Sequence, residues 1–279
     1  MLRHLFYRPH TSIGIDVNDT GVAVVVLRKE RKKISILHAS VSVVDGDQQK
    51  IKFLSDFFID NKVRKKNIYI AIPAWQVIKK ELSFDAALRD FDIKIQLELE
   101  QGSYFPGINE KLVFDIVREQ TVTVYAAKQQ GLNRKLEFLN AAKIIPVCVE
   151  PDNFAWLRLI KFNQKPSLVI DEVGVLLVVQ QQILKIIFFN QNEILYENSE
   201  TIIKQNAGFV FVRDNLEHFA SANLDDKLAT IYVIGPQDWI KQLRQCINLP
   251  VVEVVPFENI DEKLWLACGL ALRGIDDQD

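Results

Sequence analysis

Ser12-Ile13-Gly14-Ile15-Asp16 near the start of the chain and Ser167-Leu168-Val169-Ile170-Asp171 in its second half decide the fold. Each is a short apolar run ending in Asp. A second apolar run follows each, Val22 to Leu27 and Val173 to Val179, and then a third strand, Ile34 to Val44 and Ile183 to Asn190. Further on, Asn67-Ile68-Tyr69-Ile70-Ala71-Ile72-Pro73 is echoed by Thr230-Ile231-Tyr232-Val233-Ile234-Gly235-Pro236. A strand-strand-strand-helix-strand unit read twice implies an α/β protein of two similar lobes facing each other.

The 279 residues suffice for two lobes, each with its own core. A formal net charge of -2 excludes a global basic field that would recruit nucleic acid. No apolar run approaches the roughly 18 to 20 residues that span a bilayer, and the N-terminus has no signal-peptide core. Cys148, Cys246 and Cys268 are odd in number and lack CxxC spacing, which argues against disulfides and zinc and for a reducing, cytoplasmic location.

Met1 to His10 is a short basic-apolar leader, read as a frayed terminus, with membrane-surface contact through Leu2, Leu5, Phe6 and Tyr7 as the alternative. Arg28 to Lys33 is a basic hairpin tip, read as a solvated turn. Asp47 to Asn61 has helical spacing, and Asn67 to Pro73 is a buried strand stopped by proline. From Trp75 the pattern changes. Val77 to Phe84 reads as a strand, Leu112 to Glu119 with Thr121 to Ala127 as a hairpin, and Asn133 to Lys143 as a helix. Phe91, Ile93, Ile95, Leu97 and Leu99 alternate strictly with polar residues, which says strand, while their length and Glu/Gln/Leu content say helix. Ile144 to Val149 returns as a strand, and Pro151 opens a helix to Phe162. In the second half, Thr201 to Ala220 is weakly helical and broken at Gly208. Asp238 to Cys246 is a helix, Val251 to Val255 a strand and Asp261 to Arg273 a closing helix. The expected boundaries are a leader at 1–11, a first lobe at 12–74 and 144–165, an inserted α+β subdomain at 75–143, and a second lobe at 166–279.

This layout resembles the actin/sugar kinase/Hsp70 superfamily, and within it the type IV pilus assembly protein PilM family, relatives of FtsA. The resemblance rests on Gly14-Ile15-Asp16, Tyr69-Ile70-Ala71-Ile72-Pro73, Leu97-Glu98-Leu99-Glu100-Gln101 leading into Tyr104-Phe105-Pro106, and the closing Cys268-Gly269-Leu270-Ala271-Leu272-Arg273. It runs over nearly the whole chain, and order and spacing carry it rather than any single motif. It implies a two-lobed actin-like (ribonuclease H-like, duplicated) fold with an inserted small α+β subdomain and a trimmed second lobe. It also favours helix over strand for residues 87–103. It further implies an ATP site between the lobes and a place on the cytoplasmic face of the inner membrane. The implied partners are the cytoplasmic tail of a PilN-like membrane protein, bound between the first lobe and the insert, and other pilus platform components. Tyr104, Phe105 and Pro106 are the candidate partner-binding residues.

The nucleotide site implied by the resemblance falls on Asp16, Asn18, Thr20, Asp171, Gly174 and Gly235. Four departures predict that it no longer holds ATP and magnesium. Asp19 stands where the family has a small residue, and like charges about 4 Å apart repel by roughly 4 kcal/mol at an effective dielectric near 20. Asp171-Glu172-Val173 replaces Asp-Ile-Gly, with Gly174 one position late. The adenosine-side turn is reduced to Gly235-Pro236, and proline removes a donor. Glu197-Asn198-Ser199-Glu200-Thr201 stands in place of a glycine pair.

Other chemistry is thin. His4, His10, His38 and His218 lack ligand spacing, so no metal is expected. No nucleophile-elbow or Walker motif occurs. Trp75, Trp156, Trp239 and Trp265 read as core or lobe-interface residues. The leading expectation is a non-enzymatic adaptor of a pilus or competence machine. The alternatives are an ATPase or small-molecule kinase of the superfamily, and a component like the cytoplasmic domain of a type II secretion protein.

Overall fold

The computed structural model describes residues 10–31, 33–118, 121–164, 172–180, 182–191, 193–202, 205–223, 226–255, 257 and 260–276. The leader up to Pro9 and the run Ser167 to Asp171 therefore lie outside the described residues.

Two five-stranded sheets share one topology. The first holds β1 (His10–Asn18), β2 (Gly21–Glu30), β3 (Lys33–Ser42), β4 (Ile68–Ile72) and β8 (Cys148–Pro151), in the order β3-β2-β1-β4-β8. The second holds β9 (Glu172–Gln180), β10 (Ile183–Phe189), β11 (Ile194–Thr201), β12 (Lys227–Ile234) and β13 (Val251–Glu253), in the order β11-β10-β9-β12-β13. In each, an antiparallel three-strand meander is extended by two parallel strands.

The repeat is present, but its register differs from the expected one. β9, which contains Val173 to Val179, is the first strand of the second meander, not the second. Ile183 to Phe189 is its second strand, and Ile194–Thr201, not foreseen as a strand, is its third. Ser167 to Asp171 and Val173 to Val179 are both short apolar runs, and periodicity cannot rank them. What ranks them is the parallel pairing of Val175 with Ile231 and Leu176 with Tyr232, more than fifty residues away in sequence.

The helices form layers around the sheets. α1 (Asp47–Asp60) and α4 (Gln129–Ala141) cover the outer face of the first sheet: Leu54, Phe57, Phe58 and Leu139 bury against Ile13, Ile15, Val24 and Ile70. α6 (Gln205–Ala222) and α7 (Gln237–Cys246) cover the outer face of the second, with Val212, Phe219, Trp239 and Leu243 against Val175, Leu177 and Ile186. α5 (Asp152–Gln164) and α8 (Trp265–Asp276) lie between the lobes. They share one core with Val25 and Ala71 from the first sheet and Leu176, Ile187, Phe189 and Ile234 from the second. α8 sits so close to β1 that a Cβ on Gly14 would stand 1.9 Å from Ala267 O. Gly14 therefore serves helix packing.

The insert is a three-stranded sheet, β5 (Val77–Leu82), β6 (Leu112–Arg118) and β7 (Val122–Lys128), in the order β5-β7-β6. α2 (Asp90–Leu99) and the single turn α3 (Gln101–Tyr104) cover one face. The helical reading of 87–103 holds over Asp90–Leu99 and Gln101–Tyr104: Ile93 and Leu97 are buried, so the period-two pattern sends the other apolar residues outward. Packing draws the insert differently from the expected 75–143, because α4 follows the inserted sheet in sequence but buries its apolar side in the first-lobe core. Likewise α8 packs on β1, not within the second lobe alone.

Three smaller expectations change. α6 is not broken at Gly208. A Cβ there would stand 2.2 Å from Trp239 Cη2, so the glycine admits the indole. Pro151 ends β8, and the helix begins at Asp152. Trp75 is 73% exposed, in the tight turn Ala74–Gln76 after β4, whereas Trp156 and Trp239 are buried. In that turn Ala74 takes the interior position.

Candidate functional site: the cleft between the lobes

In sheets of this kind the carboxyl ends of the parallel strands form the binding crevice. Here that end of the first sheet holds Asp16, the β1–β2 turn and the start of α5. Asp16 is buried and accepts from Asn18 Nδ2 at 3.1 Å. Asn18 Oδ1 accepts from the Thr20 backbone N–H at 3.0 Å and from Thr20 Oγ1 at 2.8 Å, closing an Asx turn. Buried Lys50 of α1 donates to Asn18 O at 2.8 Å and Asp19 O at 3.0 Å. The expected trio Asp16, Asn18 and Thr20 is thus brought together. It is bound to itself, with one backbone donor already used.

Asp152, the first residue of α5, is the hub of the cleft. Ala74 N–H donates to its Oδ1 at 3.0 Å, and Lys185 Nζ of β10 stands 2.6 Å from both oxygens. Its neighbour Asn153 donates from Nδ2 to Glu197 Oε2 of β11 at 2.8 Å. These two contacts tie α5 to the second lobe. Lys135 of α4 donates to Ala71 O and lies within the fields of Asp16 and Asp152.

The charges have identifiable causes. Burial pushes the Asp16 carboxyl above its usual range and Asp152 adds to the rise, while Lys135 and the Asn18 hydrogen bond oppose it. Burial also raises Glu197, against Lys185 and Asn153. Burial lowers Lys135, with Asp16 and Asp152 opposing. The cleft is a set of partly desolvated charges satisfied by one another. Among the described residues no group of three or more His, Cys, Asp or Glu could hold a metal ion.

Of the second lobe's share of the expected site, Gly174 and Gly235 are among the described residues. Asp171 precedes β9 and lies outside the described residues. Gly174 is inside β9, opposite Phe189, and a Cβ on it would stand 2.6 Å from that ring's Cζ. It is four residues along the strand from Val178, the partner of Lys185, or about 13 Å at about 3.3 Å per residue. Gly174 therefore belongs to the far end of the sheet, where it makes room for an aromatic ring. The counterpart of the Asp16 turn is the β9–β10 turn around Gln180 and Gln182, which has neither acid nor glycine. Gly235 is at the cleft end, but packed on Val179, whose Cβ would lie 2.8 Å from an added Cβ. Lys185 is thus on Asp152, and the Thr20 N–H is held by Asn18.

Tyr104, Phe105 and Pro106 do not form an open docking surface. Phe105 is buried in the insert's core, 5.6 Å from the Phe114 ring. Tyr104 is half-buried, its hydroxyl accepting from Gln96 Nε2 at 2.8 Å and its carbonyl from Lys80 Nζ at 2.7 Å. Only Pro106 is exposed. An open depression of about 550 Å³ lies elsewhere, between Glu110 and Lys111 before β6 and Gln129, Asn133, Arg134 and Glu137 of α4.

Sequence reasoning missed Lys50, Lys135, Asp152, Lys185 and Glu197. Lys185 carried a signal: one cation inside the apolar run Ile183 to Phe189 must find a partner when buried. Lys50 and Lys135 sit at ordinary helix positions and carried none.

Comparison with solved structures shows an actin-like fold. A PilM–PilN type IV pilus biogenesis complex matches with a TM-score of 0.70 at 16% identity, covering 95% of this chain and 98% of that one. A Bacteroides thetaiotaomicron protein of actin-like ATPase fold and unknown function matches at 0.54 and 14% identity, covering 92% and 96%. The cytoplasmic domain of EpsL, an inner-membrane component of the type II secretion system of Vibrio cholerae, matches at 0.52 and 10%, covering 93% and 94%. Comparison with curated protein sequences gave no match. Comparison with known families matches residues 14–202, a stretch that contains the cleft's Asp16, Lys135, Asp152, Lys185 and Glu197, and on it the chain belongs to the type IV pilus assembly protein PilM family.

Proposed function

We propose that this chain is a non-enzymatic adaptor of a type IV pilus assembly machine. It works at the cytoplasmic face of the inner membrane and holds the extended cytoplasmic tail of a PilN-like membrane protein. The observation that carries the reading is the contrast between two clefts. The interlobe cleft is crossed by its own ion pair, Lys185 on Asp152 at 2.6 Å, whereas the depression between the first lobe and the insert is open. β6 is an edge strand of the inserted sheet, and an extended segment can add hydrogen bonds to such an edge. Lys111 and Arg134 line the groove beside Glu110 and Glu137, so it offers donors and acceptors to the backbone of an extended tail. Membership of the PilM family and the likeness to a solved PilM–PilN complex support the choice of partner. Among the described residues no helix is long and apolar enough to cross a membrane.

The test is titration of a labelled peptide of a PilN-like tail against the purified chain. Ordering the peptide costs a few kcal/mol, so a dissociation constant in the micromolar range is expected, weakened about tenfold or more by Lys111→Glu with Arg134→Glu. Absence of binding at about 100 μM, or binding indifferent to both substitutions, would contradict the adaptor mechanism.

A further inference from the structure

The topology of the first sheet gathers basic loops at the end opposite Asp16. β1, β4 and β8 are parallel, so the segments entering them start together. Hydrogen bonds record the adjacency: Asn67 Nδ2 to Thr11 O at 3.1 Å, and Val147 N–H to Ile68 O at 2.7 Å. His10 pairs with Lys29, which brings the β2–β3 turn to the same end. Five strands about 4.8 Å apart make this edge about 20 Å long.

Two of these loops, after α1 and after α4, carry a cluster of cations. Lys62, Arg64, Lys65 and Lys66 fill the first, and Lys143 stands in the second. Among the described residues Lys62, Arg64, Lys66 and Lys143 are in no ion pair. Lys65 Nζ donates to Ala142 O at 2.6 Å, holding the loops against each other. Its ammonium is pushed below its ordinary value by burial and then by the charge of Lys143, so the two cations feel one another unrelieved. The chain as a whole is at -2, so this is a local concentration. Two carboxylates stand at the same end: Glu30, held by Arg28 at 2.5 Å, and exposed Asp60, the last residue of α1, so the five loop cations outnumber them. α8 reaches this same end, where Lys29 Nζ donates to Ile275 O at 3.4 Å, but on the face of the sheet opposite α1 and α4.

Aliphatic side chains stand exposed among these cations: Ile59 at 71%, Ile145 at 78% and Val147 at 64%. A nucleic acid would take the cations and leave the aliphatics wet, since its bases call for aromatic stacking or hydrogen bonding. A membrane surface takes both, lipid phosphates by the cations and the acyl boundary by the aliphatics.

We propose that this end of the first lobe, centred on the α1–β4 loop and the α4–β8 turn, docks directly on an anionic lipid surface. The contact does not depend on the adaptor reading, because it needs no protein partner. It orients the molecule with the interlobe cleft, at the other end of the sheet, facing away from the bilayer.

The experiment is co-sedimentation of the full chain with protein-free vesicles of equal phosphatidylglycerol and phosphatidylethanolamine, beside vesicles of phosphatidylcholine alone. Binding to the anionic vesicles only is expected, falling steeply at about 0.5 M salt, where screening shortens to about 4 Å. Reversing Lys62, Arg64, Lys66 and Lys143 to Glu should weaken it about 600-fold or more, at roughly fivefold or more per cation. Ile145→Ser with Val147→Ser should weaken it several-fold at unchanged charge. Both variants change exposed side chains, and circular dichroism melting checks that they fold. Several results would overturn the proposal: no binding to anionic vesicles, equal binding to phosphatidylcholine, or indifference to the four reversals. So would an equal loss on reversing Arg213 and Lys241 in the second lobe, loss only on deleting residues 1–9, or displacement by duplex DNA at a lower concentration than by lipid.

Discussion

Arg273 Nη1 of the last helix lies 2.7 Å from Glu150 Oε2 at the end of β8, and Arg158 of α5 holds the same carboxylate through both guanidinium arms, at 2.8 and 3.0 Å. Arg158 also donates to Gly269 O at 2.7 Å. One buried acid thus joins the edge strand of the first sheet to both helices of the middle layer. The closing Gly269-Leu270-Ala271-Leu272-Arg273 of the sequence acquires a structural meaning: the glycine lets α8 meet α5, with Ala155 O only 2.3 Å from a Cβ added there, and the arginine fastens the crossing.

Glu150→Ala is expected to destabilise the chain by about 3 to 5 kcal/mol, because it removes the buried carboxylate that Arg158 and Arg273 hold together. Arg273→Ala should cost less, since Arg273 is more exposed and Arg158 remains on the carboxylate. Urea denaturation of both variants and of the double variant checks this. Additive losses would mean that the two arginines do not share the acid as the distances indicate.

The duplicated plan was legible because it is written in strand-length apolar runs and in the echo between β4 and β12. Its register in the second lobe was not, since a pairing across more than fifty residues chooses between two equally apolar runs. The site was half legible. Asp16, Asn18 and Thr20 do meet, because neighbours on one turn must. Gly174 was placed by counting from Asp171, and the shift of one strand carried it to the wrong end of the sheet. Lys135 and Asp152 come together only through tertiary packing. Phe105 shows a further limit: a motif marks importance, but not whether the ring faces solvent or core.

The α2 helix offers a clean contrast between pattern and packing. Leu97 is fully buried and Leu99 is 81% exposed, although both belong to the same alternating run. Leu97→Ala is expected to cost about 2 to 5 kcal/mol and Leu99→Ala to stay within about 0.5 kcal/mol. Chemical denaturation decides it. Equal losses would mean that the run pairs as a strand, with its odd-numbered residues on one buried face.

Glu197 gives the cleft a pH signature. Its carboxyl is raised by burial above the ordinary value of 4.5, so folding favours its protonated form. That contribution is present in full below about 4.5 and is lost as pH climbs through the raised value. Glu197→Gln keeps an oxygen for Asn153 and removes the loss. The variant should match the parent near pH 4.5 and become the more stable of the two by about pH 8. Stability measured across that interval tests the sign: a variant that falls behind at high pH would mean that attraction to Lys185 outweighs burial.

A ligand present at 100 times its dissociation constant adds about 2.7 kcal/mol to stability, which for a chain of this size is a melting shift of several degrees. We expect millimolar MgATP to give no measurable shift. The Thr20 N–H is held by Asn18, Lys50 occupies the turn's carbonyls, and Lys185 sits on Asp152 where an incoming phosphate would meet the acid's charge. Phosphate could take Lys185 only by leaving Asp152 desolvated and unpaired, a cost of several kcal/mol that binding would first have to offset. A clear shift with MgATP that Asp16→Ala abolishes would overturn this reading. The cleft would then be a working nucleotide site, and the ATPase alternative would become the better account of the family member.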